Sequence, residues 1–167
     1  MELEIEGLRG LKADLQKTSR NAGKGMMKGL QAVGLEIIAE AKVNLNQNKT
    51  YDKGDLSASG KVQKDKTGVD VGFFSKDSDQ GYAAAVEYGR GPSRNKGEIP
   101  LRKTLKAWVH RKLGIPYGKE LERATYLITR KIHRKGTKPQ PFFTPAVEKI
   151  ADKIEDIVDK YIKEALP

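Results

Sequence analysis

The residues able to do chemistry are few, and their spacing does not bring them together. The two histidines, His110 and His133, fall on separate predicted helices without the His-x-x-x-His or His-Glu-x-x-His spacing of a metal site. His133 lies within the basic run Lys131-Ile132-His133-Arg134-Lys135. Asp77-Ser78-Asp79-Gln80-Gly81 opens like a calcium loop. The match then fails, because Gly81, Tyr82 and Tyr88 stand where a third oxygen ligand, a glycine and a bidentate Glu are needed. Gly23 to Gly29 mixes glycine with lysine but lacks the Gly-Lys-Ser/Thr ending that holds phosphate and Mg²⁺. No Gly-x-Ser-x-Gly elbow occurs, and cysteine is absent. The expectation is a protein that is not an enzyme, with no catalytic residue, cofactor or metal.

Charge is the stronger signal. The net charge of +10 is concentrated in residues 93–139, which hold 14 Lys/Arg against 3 Asp/Glu. Residues 1–92 are nearly balanced, and residues 140–167 are slightly acidic. Arg102, Lys103, Lys106, Arg111 and Lys112 surround Trp108, while Arg123, Arg130, Lys131, Arg134 and Lys135 share the next predicted helix with Tyr126. Positive charge interleaved with aromatics suits single-stranded nucleic acid. The same pattern equally describes a solvated helix face over a core tryptophan, or a docking surface for an acidic protein. No nucleic-acid reading motif accompanies it.

The elements that must carry these residues follow from periodicity. Leu30, Val33, Ile37, Ala41 and Leu45 recur at helical steps from Met26 onward, so a long N-terminal helix is expected. Leu8, Leu11 and Leu15 extend the spacing upstream, and the glycines at 23, 25, 29 and 34 predict a loosening near Gly23 and a close approach to a neighbour. Asn44 to Thr50 reads as a loop. Val62, a turn at Lys66-Thr67-Gly68, and the alternating Val69, Val71 and Phe73 predict a hairpin. Residues 75–81 read as a polar loop and Tyr82–Tyr88 as a third strand of an antiparallel sheet. After a polar loop to Pro100, basic helices are expected over Leu101–Leu113 and about Lys119–Lys135, with Leu121, Ala124, Leu127, Ile128 and Ile132 facing inward. Lys138-Pro139-Gln140-Pro141 is extended. Thr144 and Pro145 then open a last helix carrying Val147, Ile150, Ile154, Ile157, Val158, Tyr161 and Ile162 on one face.

The length of 167 residues suits a single domain over residues 1–167. The fold class expected is α+β: a small antiparallel sheet of three to four strands against a long N-terminal helix, two basic middle helices and a C-terminal helix. No apolar run approaches a membrane span, and the acidic alternating start, Met1 to Glu6, is unlike a secretory signal.

Two stretches, Tyr82-Ala-Ala-Ala-Val-Glu87-Tyr88-Gly89-Arg90-Gly91-Pro92 and Gly136-Thr137-Lys138-Pro139-Gln140-Pro141-Phe142-Phe143-Thr144-Pro145-Ala146, together with Gly54-Asp55-Leu56-Ser57-Ala58-Ser59, resemble a known family in content and order. It is the head–tail joining, or tail-completion (neck), family of long-tailed bacteriophages. The resemblance spans about residues 26–150, and a generous basic helical insertion at about 93–136 departs from the usual pattern. It implies a structural virion protein that forms a homo-oligomeric ring, often of six copies. Its partners would be the connector or stopper and the tail-tube or tail-terminator proteins, with DNA passing through unread. It also implies synthesis in the host bacterial cytoplasm and residence in the particle neck.

The assembly candidates are Glu87, Tyr88, Arg90, Pro92, Arg102, Lys103, Lys106, Arg111, Lys112, Arg130, Lys131, Arg134, Lys135, Pro141, Phe142 and Phe143. Within this set, Phe142 and Phe143 are expected to anchor the last helix to the sheet. The alternative function is a basic nucleic-acid-binding module.

Overall fold

The amphipathic pattern of the first third produces the dominant element of the computed structural model, which describes residues 8–48, 54–65, 67–74, 81–92 and 102–166. In chain order the elements are α1 (Leu8–Gln47), α2 (Asp55–Ala58), β1 (Gly60–Lys64), β2 (Val69–Phe73), α3 (Gly81–Glu87), α4 (Arg102–Leu113), α5 (Lys119–Lys135), α6 (Thr144–Ala151) and α7 (Ile154–Ala165). The architecture is α+β and mostly helical. Among the described residues its sheet has two strands rather than three to four.

Several expectations are corrected. The helix α1 is unbroken through Gly23 and runs on to Gln47, past Asn44 where a loop was predicted. A glycine costs a helix up to about 1 kcal/mol, a penalty that the packing of a long apolar face outweighs. Tyr82–Tyr88 is not a strand, since Gly81–Glu87 forms α3. Seven residues are too few for periodicity to decide, and the Ala-Ala-Ala centre has the strongest helix preference of any residue type. The last helix is divided into α6 and α7 at Asp152-Lys153, where the Lys153 N–H donates to Ile150 O, three residues back, at 2.9 Å. The apolar rhythm continues across this tight turn, which is why the sequence pattern does not reveal it.

The chain forms two compact units. The first contains residues 8–42 of α1, most of the β1–β2 hairpin, and the chain from Pro145 through α7. Val33, Ile37, Ile38 and Ala41 are buried here together with Ala146 and Ile150 of α6. Lys149 Nζ donates to Glu40 Oε1 at 2.6 Å on the rim. The predicted hairpin forms as expected, with the Asp65 N–H donating to Gly68 O at 3.0 Å across its turn.

Glycine is required on α1 because neighbours come too close for a side chain. A Cβ at Gly29 would lie 2.8 Å from Val158 Cα, and one at Gly25 would lie 2.6 Å from Tyr161 O. A Cβ at Gly34 would lie 2.8 Å from Val71 Cγ2 of the hairpin. Small residues therefore let α7 and the hairpin rest directly on the α1 backbone, the close approach expected from the sequence.

The second unit contains residues 43–59, Phe73, α3, α4, α5 and the chain to Thr144. The expected bounds of α4 hold to within a residue and those of α5 hold at both ends. The inward face of α5 is rotated from the expected one. Leu121, Thr125 and Thr129 are buried, Ala124, Ile128 and Ile132 are half-buried, and Leu127 is exposed. The Thr129 hydroxyl bonds within the helix, donating to Thr125 O at 2.7 Å, whereas the buried Thr125 hydroxyl has no hydrogen-bond partner among the described residues. Trp108 is half-buried.

Gly29→Ala is expected to lower stability by about 1–3 kcal/mol, because an added methyl overpacks against α7. Gly23→Ala, at an exposed helical position with open space beyond it, is expected to raise stability by about 0.5–1 kcal/mol. Denaturant midpoints of the two variants check the contrast in sign.

Candidate assembly site

The Pro-Gln-Pro segment supplies few backbone donors, and those it has must be met. Pro139 and Pro141 carry no N–H. The N–H of Gln140 between them donates to Val86 O at 2.8 Å. The next three N–H groups converge on one carboxylate: Phe142 N and Phe143 N donate to Glu87 Oε2 at 2.8 and 2.9 Å, and Thr144 N donates to Glu87 Oε1 at 2.9 Å. Every donor from 139 to 144 is thereby accounted for.

Glu87 is the last residue of α3 and is buried. Burial alone would raise its pKa. The backbone bonds from Phe142 and Phe143, and the hydroxyl and backbone of Thr144, outweigh burial and hold the carboxyl below its usual 4.5. It is an anion kept in place by oriented donors, and Thr144 is the first residue of α6.

On either side of this clamp the same two stretches run together. Arg90 N donates to Thr137 O at 3.2 Å and Thr137 N to Arg90 O at 2.8 Å, an isolated antiparallel bridge. The bridge depends on glycine. Gly89 has φ +73° and its missing Cβ would lie 2.6 Å from Thr137 O; Gly136 has φ +74° and sits against Arg90 O. Two asparagines finish the attachment, Asn44 Nδ2 donating to Phe142 O and Asn48 Nδ2 to Pro141 O, each at 2.9 Å. Phe142, 1% exposed, meets the Phe73 ring edge-on at 5.0 Å, and half-buried Phe143 meets it at 6.0 Å.

The Gly54-to-Ser59 segment folds with equal economy. Gly54 takes the left-handed conformation (φ 89°) before the one-turn α2, Leu56 is buried, and buried Ser59 donates its hydroxyl to Leu56 O at 2.7 Å. The Phe74 N–H donates to Ser59 O at 2.9 Å.

The sequence-predicted residues therefore separate by environment. Glu87 and Phe142 are spent inside the chain. Tyr88, 75% exposed, stands at the surface with Arg90, Pro92 and Pro141. Arg111 and Lys112 at the end of α4, and Arg130, Lys131, Arg134 and Lys135 on α5, are exposed. Lys106 is bound to Glu122 at 3.1 Å, and Arg102 and Lys103 open α4. Asn44, Asn48 and the internal role of Glu87 escaped the sequence reading, although the i, i+4 spacing of the asparagines was a usable signal.

His110 Nδ1 lies 2.7 Å from Ile115 O, and its ring packs on Tyr117 at 4.3 Å, a local tie behind Gly114. Among the described residues no group of three or more His, Cys, Asp or Glu side chains gathers as a metal site would require. Residues 77–80 of the calcium-like segment, and the polar loop 93–100, lie outside the described residues. No family model, curated protein or solved structure matches this chain.

Glu87→Ala is expected to cost roughly 3 kcal/mol or more, since it strands buried N–H groups. The pH dependence follows from a lowered folded pKa. The contribution of Glu87 is complete above the ordinary 4.5 and is lost as pH falls through the folded value. Acid unfolding curves below pH 4.5 should thus be flatter for Glu87→Gln than for wild type. Phe142→Ala is expected to cost about 3–5 kcal/mol. Phe143→Ala, expected from the sequence to cost as much, should cost roughly 1–2 kcal/mol because that ring is only half-buried; paired urea titrations measure both.

Proposed function

We propose that this chain is a structural subunit of a tailed-bacteriophage particle, forming a ring at the head–tail junction that completes the tail and joins it to the head connector. The observation that carries the reading is the clamp. The stretches at 82–92 and 136–146, in which the resemblance resides, are tied to one another by Glu87, by the Arg90–Thr137 bridge and by Gln140. The tie leaves Tyr88, Arg90 and Pro92 displayed on a braced surface. Rigid display of an aromatic and an arginine is what protein docking uses.

The charge distribution supports a ring. Head-to-tail contacts require two different, complementary patches on each subunit. Exposed Glu155, Asp156 and Asp159 on α7 offer an acidic patch to a basic one on the next copy, and exposed Arg130, Lys131, Arg134 and Lys135 on α5 offer a basic surface to the connector or tail proteins. On this reading the partners are further copies of the chain, six in all as the resemblance implies, with connector or stopper proteins on one side and tail-tube or terminator proteins on the other. The protein works by holding neighbours in place, and DNA passes it without being read.

One observation favours a second reading, a basic nucleic-acid-binding module. Arg123, Tyr126, Arg130, Lys131, Arg134 and Lys135 are all exposed on one short helix, a combination suited to a stacked, single-stranded polyanion. Binding of the purified chain to DNA or RNA that weakens steeply with salt would favour it.

In a phage lacking the gene, heads and tails are expected to accumulate unjoined, as seen by electron microscopy of the lysate; infectious particles from that strain would defeat the proposal. Replacing Arg130, Lys131 and Arg134 together by Glu should leave the far-UV circular dichroism intact while abolishing incorporation into particles.

A further inference from the structure

The face of α1 that carries Gly25 and Gly29 continues toward the N-terminus without cover. At 100° per residue, Leu11, Leu15, Thr18 and Ala22 fall on the same side as Gly25 and Gly29. There α7 lies directly on the helix, and Ala165 Cβ would be 2.9 Å from a Gly25 Cβ. The helix α7 ends at Ala165. Beyond that point every residue from 10 to 20 is exposed, including Leu11 at 58% and Leu15 at 62%. These two leucines share a shallow open surface with Lys12, Gln16, Ser19 and Arg20. This is three turns of regular helix with an apolar strip that has Lys12 and Arg20 along one side and Asp14 along the other.

The matching surface is on α7. Ile154, Ile157, Val158, Tyr161 and Ile162 form its apolar face, yet none of its residues is fully buried. On the same 100° wheel, Glu155 and Asp159 border that face beside Ile162, and Glu164 borders it beside Ile157; all three are exposed. One strip lacks cover, with Lys12 and Arg20 along one edge and Asp14 along the other. The other is only half covered, with Glu155 and Asp159 along one edge and Glu164 and Lys160 along the other.

We propose that residues 10–20 of α1 dock on the acid-bordered edge of α7 in a second copy of this chain. The inference deepens the ring reading and rests on it, because it names the head-to-tail contact by which copies join. A second copy is the occupant on grounds of charge. Two antiparallel arms pairing with each other would set the Lys12 and Arg20 edge against its equal and Asp14 against Asp14, and like charges across an interface are repelled. The exposed Tyr126–Leu127 patch is flanked by Arg123 and Arg130 and is unsuitable for the same reason. Arm on α7 is the pairing that opposes unlike charges and covers both apolar strips. Since the two patches differ, each copy can give one contact and receive another, as a closed ring demands.

Sedimentation of the purified full chain tests the contact. Wild type is expected to associate, less so as salt rises. Lys12→Glu with Arg20→Glu, and separately Glu155→Lys with Asp159→Lys, should each weaken association by roughly a hundredfold or more. An equimolar mixture of the two variants should associate again, because each arm then meets an α7 of opposite sign. Leu11→Ala with Leu15→Ala should abolish association without lowering the thermal midpoint, since both side chains are exposed.

A monomeric wild type, persistent association of either charge variant, or a mixture of well-folded variants that stays apart would overturn the proposal. These measurements concern contact between copies. Failure of the head–tail reading is seen separately, in the particles of the deletion strain. A chain that passes the mixing test from a strain with normal particles would keep the contact and lose the neck role.

Discussion

A buried carboxylate is stable only where fixed donors replace the water it has lost. At Glu87 three consecutive backbone N–H groups do this, and the side chain remains an anion inside the second unit. The arrangement is reciprocal. A segment with two prolines cannot join a regular ladder, so its remaining donors need an acceptor from elsewhere. The last residue of α3 supplies two oxygens within reach of three successive N–H groups. Satisfaction of both partners at once gives the connection its specificity, since loss of either leaves buried polar groups unpaired. The bridge at Arg90 and Thr137 and the close fit at Gly89 and Gly136 depend on the same register being held.

In the first unit the governing constraint is distance rather than charge. Glycines at 25, 29 and 34 would weaken an isolated helix, yet on α1 they are the positions where α7 and the hairpin approach closest. Backbone-to-backbone contact buries more of both surfaces than a side chain at those positions would allow. The local penalty and the tertiary gain arise from the same missing Cβ. A propensity argument taken alone counts Gly25, Gly29 and Gly34 against the helix, whereas these are the positions where the structure makes close contacts.

The surfaces outside the two cores are patterned by charge. Apolar strips with charged borders lie on the arm of α1, where Lys12 and Arg20 line one edge, on α5, where Arg123 and Arg130 flank Tyr126 and Leu127, and on α7, where Glu155 and Asp159 line one edge. Such borders choose partners and orientation, while the apolar strips supply most of the cohesion. His110 and the buried Glu87 are engaged in structural ties, the first to Ile115 O and the second to the N–H groups of the Pro-Gln-Pro segment's end.

The helices α4 and α5 and the β1–β2 hairpin were legible because each is set by local repetition, a 3.6- or 2-residue rhythm bounded by glycine or a turn. The extended Pro-Gln-Pro segment was legible because proline restricts its own backbone and that of the residue before it. The same local logic misassigned α3, where a run of alanines has no rhythm to read, and rotated α5, where Thr125 and Thr129 look polar but fit inside. The split between α6 and α7 was hidden by a rhythm that continues through the turn. The sequence by itself determined the long first helix, the hairpin, the two basic helices, the uneven charge and the scarcity of reactive groups, since these are properties of neighbours along the chain. Only the tertiary structure decided that Glu87 faces inward to three N–H groups 55 to 57 residues away, and that Leu11 and Leu15 go uncovered. Burial and hydrogen bonding depend on what lies opposite in space, and residue type alone does not carry that information.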